Sequence, residues 1–361
     1  MSIGITLNGT YYAASQLSQF VECATSQEES LYYQEIADFL EDWWSPKSVL
    51  LVRTSGSTGA PKPLWVKKSH MENSARLTCQ HLKLKQGDPV LLCMSVRYIA
   101  GKMMLVRALV SQLAVWVVPP KGRPLAQFDS KLVFAAMVPL QVYNSLKNPV
   151  DMARLQAVRH LLIGGGAIDQ DMAEQLARFP NQVYSSYGMT ETVSHIALRQ
   201  LSGSHQSAWY YPLPSVCLSQ THEGALVIDA PLVSSEQLVT HDVVRMNSRG
   251  GFQLVGRLDH IINSGGVKLQ PEQIEQKLKS YISYPFVITS RKDKKLGEAL
   301  VLLIESESFY VAELNTQINQ VLSTYERPKA ICFVAKLPRT ETEKIRRPKC
   351  KELANRLCMN K

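Results

Sequence analysis

One nine-residue segment carries the clearest chemical pattern in this chain: Thr54-Ser55-Gly56-Ser57-Thr58-Gly59-Ala60-Pro61-Lys62. Its glycines let backbone amides approach a ligand closely, its hydroxyl groups add hydrogen-bond donors, and its lysine adds a positive charge. Such a loop suits a polyphosphate. It follows Val49-Leu50-Leu51-Val52, an apolar run that predicts a buried strand. It is not a P-loop, because no Gly-Lys-Ser/Thr closes it. Taken alone, the segment has an alternative interpretation as a flexible surface loop.

The composition predicts a cytoplasmic globular protein with an anionic partner. The 361 residues are enough for roughly two or three domains. The seven cysteines include no CxxC pair and the histidines show no HExxH pattern, which disfavours a disulfide framework and a transition-metal site. The net charge of +9 either favours solubility alone or indicates a polyanionic partner: a nucleotide, coenzyme A or nucleic acid. Because no RNP pattern or aromatic-interleaved basic motif occurs, we expect no nucleic acid.

No targeting or membrane segment is expected. The N-terminal residues include neither a basic region nor a long apolar region, so a secretory signal is not predicted. The richest apolar stretch, from Met103 to Val118, is interrupted by Arg107, Ser111 and Gln112. This stretch is therefore too polar to predict membrane insertion.

Alternating apolar runs and helical patterns predict an α/β fold. From about residue 49, apolar runs such as 89–94 alternate with helical patterns such as 100–114, which indicates crossover units and a mostly parallel sheet with flanking helices. After about residue 205 the strands are joined by turns and are expected to be antiparallel. A small α+β unit ends the chain. We place the boundary near Arg257-Leu258-Asp259, which gives a large N-terminal domain, 1–257, and a small mobile C-terminal domain, 258–361.

Five ordered segments resemble the AMP-forming acyl-CoA synthetase and adenylating-enzyme superfamily. They are the 54–62 loop, Gly164-Gly165-Gly166-Ala167, Tyr187-Gly188-Met189-Thr190-Glu191, a run from Asp242 through Gly256-Arg257-Leu258-Asp259 to Gly265-Gly266 and Pro271-x-x-Ile274-Glu275, and Leu337-Pro338-Arg339-Thr340-x-x-x-Lys344-Ile345. Each motif is short, but together they cover residues 50 to 347. The resemblance implies an AMP-forming acid–CoA ligase that uses ATP, Mg²⁺ and coenzyme A.

The resemblance also implies which residues bind the nucleotide. They are Thr54, Ser55, Gly56, Ser57, Thr58, Gly59, Lys62, Gly164, Gly165, Gly166, Tyr187, Gly188, Met189, Asp242 and Arg257. Tyr187 is expected to stack on adenine, and the three glycines from Gly164 are expected to pass flat against it. Asp242 is expected to hold the ribose hydroxyls, since a carboxylate makes strong charge-assisted hydrogen bonds.

Catalysis and metal binding are assigned by the same resemblance. Thr190 contacts the α-phosphate, while Glu191 and Thr58 hold Mg²⁺, a hard cation that prefers oxygen ligands. Lys344 is the catalytic ammonium that bridges the attacking carboxylate and the phosphate. Asp259 belongs to the hinge about which the small domain swings.

Two positions depart from the family pattern. His241 precedes Asp242 and Glu343 precedes Lys344, at places where the family usually has glycine. These replacements leave open the alternative that the protein is a nucleotide-binding relative without enzymatic activity. The intact phosphate loop, Glu191, Asp242 and Lys344 argue against that alternative.

The implied reaction has two halves, and its substrate is a small carboxylic acid. The carboxylate attacks the α-phosphate of ATP to give an acyl-adenylate and pyrophosphate, and coenzyme A then displaces AMP. The compact build, with about fifty residues before the loop, and the segment Tyr98-Ile99-Ala100-Gly101-Lys102-Met103-Met104 resemble the o-succinylbenzoate–CoA ligases of menaquinone biosynthesis. Tyr98 lies where many relatives place a pocket-lining histidine. Lys102 is a candidate to bind a second carboxylate, or else is a surface lysine.

Other substrates remain open at this level. The chain can be another aryl- or aliphatic-acid CoA ligase, or an adenylation enzyme that loads a separate carrier protein. No carrier-like Gly-x-Asp-Ser-Leu segment occurs in the chain, so such a carrier would be a different molecule. The sequence predicts no particular oligomeric state.

Overall fold

The structure is a computed structural model that describes residues 3–53, 63–126, 128–307, 311–340 and 345–358. Within these ranges the helices α1 to α10 span, in chain order, Leu17–Glu22, Gln27–Trp44, Lys68–His81, Ile99–Ser111, Pro139–Leu146, Pro149–Ala157, Gln170–Ala177, Pro271–Leu278, Val311–Val321 and Arg347–Cys358. The strands β1 to β20 span Gly4–Leu7, Thr10–Ala13, Val49–Arg53, Pro63–Lys67, Pro89–Leu92, Ala114–Val117, Phe134–Met137, His160–Ile163, Gln182–Gly188, His195–Gln200, Tyr211–Pro212, Cys217–Gln220, Ala225–Asp229, Leu238–Met246, Phe252–Arg257, Ile262–Ser264, Val267–Leu269, Phe286–Asp293, Gly297–Glu305 and Ala330–Val334.

A nine-stranded sheet organises the larger part of the chain. Its order is β11-β10-β9-β8-β7-β5-β6-β1-β2, and every pairing from β9 across to β1 is parallel. Antiparallel strands complete both edges. This mostly parallel sheet with flanking helices confirms the predicted α/β class.

The sheet separates two apolar cores because successive residues of a strand point to opposite faces. Val90 and Phe134 pack on the face covered by α2, α3 and α4. Leu91 and Ala135 pack on the face covered by α5, α6 and α7. The strands β7 and β8 are buried along their whole length, as parallel strands covered on both faces should be.

The helices begin at residues that can cap them. The Asp169 side chain accepts a hydrogen bond from the Met172 amide at 2.8 Å, and α7 starts at the next residue. The Asn148 side chain caps α6 in the same way, with proline at the first helical position. Gln112 ends α4 in the left-handed conformation, with φ 51°. These local rules explain why the helix predicted at 100–114 is found close to its expected bounds, at Ile99–Ser111.

The strand β3 corrects one expectation. It pairs with β4 in a two-stranded antiparallel hairpin, outside the large sheet. Leu51 lies opposite Trp65, and these two residues are 44% and 65% exposed. Leu50 and Val52, on the other face, are buried. The predicted strand is therefore present but buried on one face only, because an apolar run does not indicate whether both of its faces are covered.

Two smaller sheets follow the large one. The strands β12 to β15 form an antiparallel sheet, as predicted for this region. The strands β16 to β20 form another sheet, in which β20 runs parallel to β19, and it packs with α8, α9 and α10 around apolar cores of its own. Among the described residues, no helix is both long enough and apolar enough to cross a membrane.

Candidate active site

The carboxyl ends of β5, β7, β8 and β9 meet at one edge of the large sheet, the edge where α/β folds bind ligands. Three predicted segments lie there: the segment containing Tyr98 follows β5, Gly164 follows β8, and the 187–191 motif ends β9. Arg53, the last residue before the 54–62 loop, forms a parallel bridge with Tyr98. The fold therefore brings these predicted residues to one edge of the sheet.

Gly164 and Gly165 shape the turn after β8. A Cβ atom at Gly164 would overlap the Ser186 Oγ atom of β9, so a side chain here would require the Ser186 hydroxyl to move. Gly165 has φ +79°, a conformation that L-residues with side chains rarely adopt. The backbone at this turn is consequently bare, as a flat surface for a purine ring requires.

The loop after β9 is held in a strained conformation. The Thr192 hydroxyl, which is fully buried, accepts from the Met189 amide at 3.0 Å and donates to the Ser194 carbonyl at 2.8 Å. Val193 has φ 66°, which is unfavourable for a β-branched side chain. Thr190 is buried and Glu191 is exposed at the start of this loop. The strain is maintained where the predicted α-phosphate and magnesium contacts lie, which is common at functional sites.

Tyr187 is buried at the end of β9 and faces other aromatic rings. Its ring makes edge contacts with Tyr210 and Phe252, with centroids 6.2 and 5.0 Å away. Its hydroxyl donates to Asp242 Oδ2 at 2.6 Å. Burial, together with the nearby charge of Asp242, raises the pKa of this hydroxyl, so it remains a donor. The expected stacking of Tyr187 on adenine stays a prediction.

Asp242 and Arg257 lie opposite each other on β14 and β15. Arg257 Nη1 donates to Asp242 Oδ1 at 2.6 Å, and its Nε and Nη2 bind Asp259 at 2.9 and 3.0 Å. Burial raises the pKa of Asp259, but the hydrogen bond and charge of Arg257 outweigh it and hold that pKa below its ordinary value. His241 Nδ1 is 3.5 Å from Asp259 Oδ2, so this departure from the family pattern lies beside the carboxylate of the predicted hinge.

Lys102 extends toward α2. Its ammonium lies 4.6 Å from the centre of the Phe39 ring, a cation–π contact. Burial lowers the pKa of Lys102, and the charges of Asp42 and Glu35 partly oppose that shift. Its role in substrate binding stays a prediction.

Arg107 is a candidate functional residue that sequence reasoning missed. It lies on α4, is 2% exposed, and its Nε atom has no hydrogen-bond partner among the described residues. Its Nη2 donates to Ser194 Oγ at 2.8 Å. No ion pair joins it to any carboxylate in the described part of the chain. The available signal was a single arginine within an otherwise apolar helix.

A hydrogen-bonded chain fixes the orientation of Arg107. The Thr78 hydroxyl donates to the Ser74 carbonyl, so it accepts from His195 Nε2, 3.3 Å away. His195 Nδ1 is then the acceptor for Ser194 Oγ at 3.3 Å. Burial, with the charge of Arg107, lowers the pKa of His195 well below its ordinary value, so this ring is neutral.

Two predicted groups lie outside the described residues: the phosphate-loop residues 54–62, which include the magnesium candidate Thr58, and the catalytic candidate Lys344. Arg339 forms an isolated β-bridge with Ile345 and donates a hydrogen bond to Glu305 at 3.0 Å. The described residues contain no cluster of His, Cys, Asp and Glu that could hold a metal by itself.

Comparison with known proteins identifies the family. The AMP-binding enzyme family matches residues 13–220. A 2-succinylbenzoate–CoA ligase of Bacillus mycoides is 23% identical over 88% of this chain and 72% of its own length. An acyl-CoA synthetase (AMP-forming)/AMP-acid ligase II-like protein of Dyadobacter fermentans is 35% identical, with a TM-score of 0.61 over 90% of this chain and 94% of that one.

A more distant structure shares the fold. The o-succinylbenzoate coenzyme A synthetase MenE of Bacillus subtilis, in complex with ATP and a magnesium ion, is 21% identical, with a TM-score of 0.67 over 83% of this chain and 69% of that one. The family match covers more than half of the present chain. The chain therefore belongs to the AMP-binding enzyme family and is an AMP-forming acid–CoA ligase.

Proposed function

We propose that this ligase activates o-succinylbenzoate, a dicarboxylate of menaquinone biosynthesis, as an acyl-adenylate and transfers the acyl group to coenzyme A. The observation that carries the proposal is the buried guanidinium of Arg107, which has no carboxylate partner among the described residues. Relatives named 2-succinylbenzoate–CoA ligase support the choice of acid.

An isolated buried charge is costly unless a ligand compensates it. Among the described residues, Arg107 donates a hydrogen bond to Ser194 and lies over the Phe134 ring, 6.0 Å from its centre, but its Nε has no acceptor. A guanidinium can bind a carboxylate through two parallel hydrogen bonds. A monocarboxylic acid whose only carboxylate reacts with ATP cannot supply this partner, whereas a dicarboxylate can.

The position of Arg107 suits a substrate that spans two sites. A Cβ atom at Gly188 would overlap the Ser194 carbonyl oxygen, so the backbones of these two residues are in contact. Arg107 therefore binds a residue that lies directly against the 187–191 motif. One carboxylate of the acid can bind Arg107 while the other extends toward the nucleotide.

Arg107 is a better candidate than Lys102 for the second carboxylate. The two residues are five positions apart on α4, and at about 100° per residue their side chains differ by about 140° around the helix. Lys102 already contacts Phe39 and lies near acidic residues of α2. Because those acids repel a carboxylate, binding at Lys102 is less favourable.

The nucleotide contacts are proposed from the same edge of the sheet. Asp242 has about four acceptor sites on its carboxylate, and Tyr187 and Arg257 occupy one on each oxygen. Both oxygens can thus still accept from ribose hydroxyls. The bare backbone from Gly164 to Gly166 fits a flat base, and Thr54 to Lys62 would hold the phosphates.

The oxygen donors of Glu191 and Thr58 suit a magnesium ion that is bound together with ATP. Mg²⁺ usually keeps several waters and takes one or two carboxylates plus phosphate oxygens. Glu191 is exposed at the motif and can supply a carboxylate, with Thr58 as the other proposed ligand. When bound, the ion neutralises phosphate charge so that a carboxylate can approach.

The small domain is proposed to serve the two halves of the reaction in turn. Its boundary, 1–257 against 258–361, is supported by apolar cores that do not mix residues from the two sides. Lys344 would join the attacking carboxylate and the α-phosphate during adenylation. Rotation about Asp259 would then withdraw Lys344 and admit coenzyme A.

The test is pyrophosphate release with o-succinylbenzoate and with analogues that lack either one of its carboxylates. We expect rapid release with the dicarboxylate and a kcat/KM lower by about 100-fold for the analogue whose remaining carboxylate is the reactive one, since a buried charge-assisted contact is lost. Mass spectrometry of the coenzyme A product identifies the thioester. Equal kcat/KM for the dicarboxylate and that analogue would contradict the proposed substrate.

A further inference from the structure

A line of polar contacts crosses the predicted hinge. Arg257 joins Asp242 to Asp259, as described above. The next residue, His260, lies between two carboxylates: its Nδ1 is 2.5 Å from Glu272 Oε1 and its Nε2 is 3.8 Å from Asp259 Oδ1. Because an ionised carboxylate can only accept, His260 Nδ1 donates to Glu272. The contacts thus continue from the hinge to the first turn of α8.

Glu272 extends the line to α10. Its Oε1 atom is also 3.4 Å from Arg347 Nε. Arg347 donates from Nη1 and Nη2 to Glu275 at 3.0 and 2.6 Å. Arg347 is the first residue of α10 and comes three positions after Lys344. Glu272 therefore contacts both the residue beside the hinge and the residue that begins the helix after Lys344.

These groups are shielded from water. The side chains of His260, Glu272 and Arg347 are 18%, 27% and 21% exposed. Burial raises the pKa of Glu272, but the hydrogen bond from His260 and the charge of Arg347 outweigh burial and bring the pKa below its ordinary value. Glu272 is therefore ionised at neutral pH and holds both neighbours through charge.

Gly256 brings the hinge strand close to α8. A Cβ atom at Gly256 would lie 3.0 Å from Glu272 Oε2, a buried atom with no hydrogen-bond partner among the described residues. The end of β15 therefore packs directly on the first turn of α8. Because of this contact, the position of Glu272 is tied to the position of the hinge.

We propose that Glu272, through His260 on one side and Arg347 on the other, positions the Lys344 segment for the adenylation half-reaction. The inference rests on the proposed function, in which Lys344 serves adenylation and not thioester formation. Glu272 is a positioning residue, because it acts through Arg347 and not on the reacting atoms. Removing its charge weakens the hold on Arg347 from the hinge side while the pair between Arg347 and Glu275 remains.

The experiment measures the two half-reactions separately in the Glu272→Gln enzyme. Pyrophosphate release in a single turnover reports adenylation, and supplied acyl-adenylate with coenzyme A reports thioester formation. We expect adenylation at saturating ATP to slow by about 10- to 30-fold, as for one charge-assisted contact. The KM for ATP and the thioester rate should change by less than about twofold.

Variants of His260 provide a rescue. His260→Ala should slow adenylation as Glu272→Gln does, because the donor to Glu272 is lost. His260→Gln should restore part of the rate, because its side-chain amide can donate to Glu272. If these variants merely destabilised the protein, both half-reactions would slow, and His260→Gln would not restore the rate of adenylation alone.

The matched control is Glu298→Gln. Glu298 accepts from Lys351 at 2.5 Å, from Ser290 at 2.7 Å and from the Asn263 amide at 3.1 Å, and its side chain is 22% exposed. This variant should leave the ratio of the two half-reactions unchanged.

Two outcomes overturn the inference: unchanged adenylation in Glu272→Gln, or equal slowing of both halves. Lys344→Ala, measured in parallel, tests the proposed function separately. If that variant slows both halves equally, the role of Lys344 fails whatever Glu272 does.

Discussion

Replacing Arg107 with methionine should stabilise the protein and weaken its hold on a dicarboxylate. Burial lowers the pKa of the Arg107 guanidinium from 12.5 to about 10. Each pKa unit corresponds to about 1.36 kcal/mol, so the charged form costs about 3 kcal/mol in the folded state. At neutral pH the group is protonated in both the folded and the unfolded chain. The cost is therefore present at every pH below about 10 and declines as the pH rises from there toward 12.5.

Arg107→Met removes this cost and also removes the hydrogen bond to Ser194, which contributes about 1 kcal/mol. Methionine fills irregular apolar space with little strain. We therefore expect the free energy of unfolding to rise by about 2 kcal/mol, measured from urea midpoints by tryptophan fluorescence. The kcat/KM for o-succinylbenzoate should fall by about 100-fold, measured by pyrophosphate release.

Arg154→Met serves as the matched control. Arg154 is bound to the backbone carbonyls of Leu125 and Ala126 and forms an ion pair with Asp129. Its loss should lower the urea midpoint and leave the KM for the acid unchanged. If Arg107→Met unfolds at lower urea and keeps the wild-type KM, Arg107 is a structural residue and the reasoning about a buried unpaired charge is refuted.

Three further predictions concern other residues. Asp242→Asn should raise the KM for ATP by about tenfold or more and leave that for the acid unchanged in steady-state assays, because a neutral amide holds ribose hydroxyls less strongly; equal changes in both would contradict a ribose contact. Gly256→Ala should lower the urea midpoint by the equivalent of about 1 kcal/mol, because its Cβ would overlap the buried end of the Gln270 side chain; an unchanged midpoint would show that the Gln270 side chain turns aside. Burial raises the pKa of the Cys93 thiol to about 12, so iodoacetamide at pH near 8 should modify exposed Cys217 and spare Cys93 in the native protein, as read by peptide mass spectrometry.

The order of strands and helices was largely predictable from sequence, because apolar periodicity and capping residues are local features. The strand predicted at 89–94 is found as Pro89–Leu92, and the helix predicted at 100–114 is found as Ile99–Ser111. The strand β3 was predicted to be buried and is a half-exposed hairpin strand. Apolar content is encoded locally, but which neighbour covers a strand depends on distant parts of the chain.

The candidate site likewise contains residues that local sequence predicted and residues that it did not. Motifs such as Tyr187-Gly188-Met189-Thr190-Glu191 were recognisable because phosphate and metal chemistry demands particular residue types at short spacing. The contact of Lys102 with Phe39 could not be predicted, because the sequence of a helix does not indicate which neighbouring element each of its faces contacts.

The sequence by itself determined the family, the α/β class and the identity of the nucleotide-binding candidates, since each depends on contiguous residues. The tertiary structure alone decided that Arg107 is buried with no carboxylate partner in the described part of the chain, and that Glu272 contacts both His260, beside the predicted hinge, and Arg347 of α10. Burial and charge pairing are sums over groups that come from many separate segments. For that reason no local pattern could have predicted either feature.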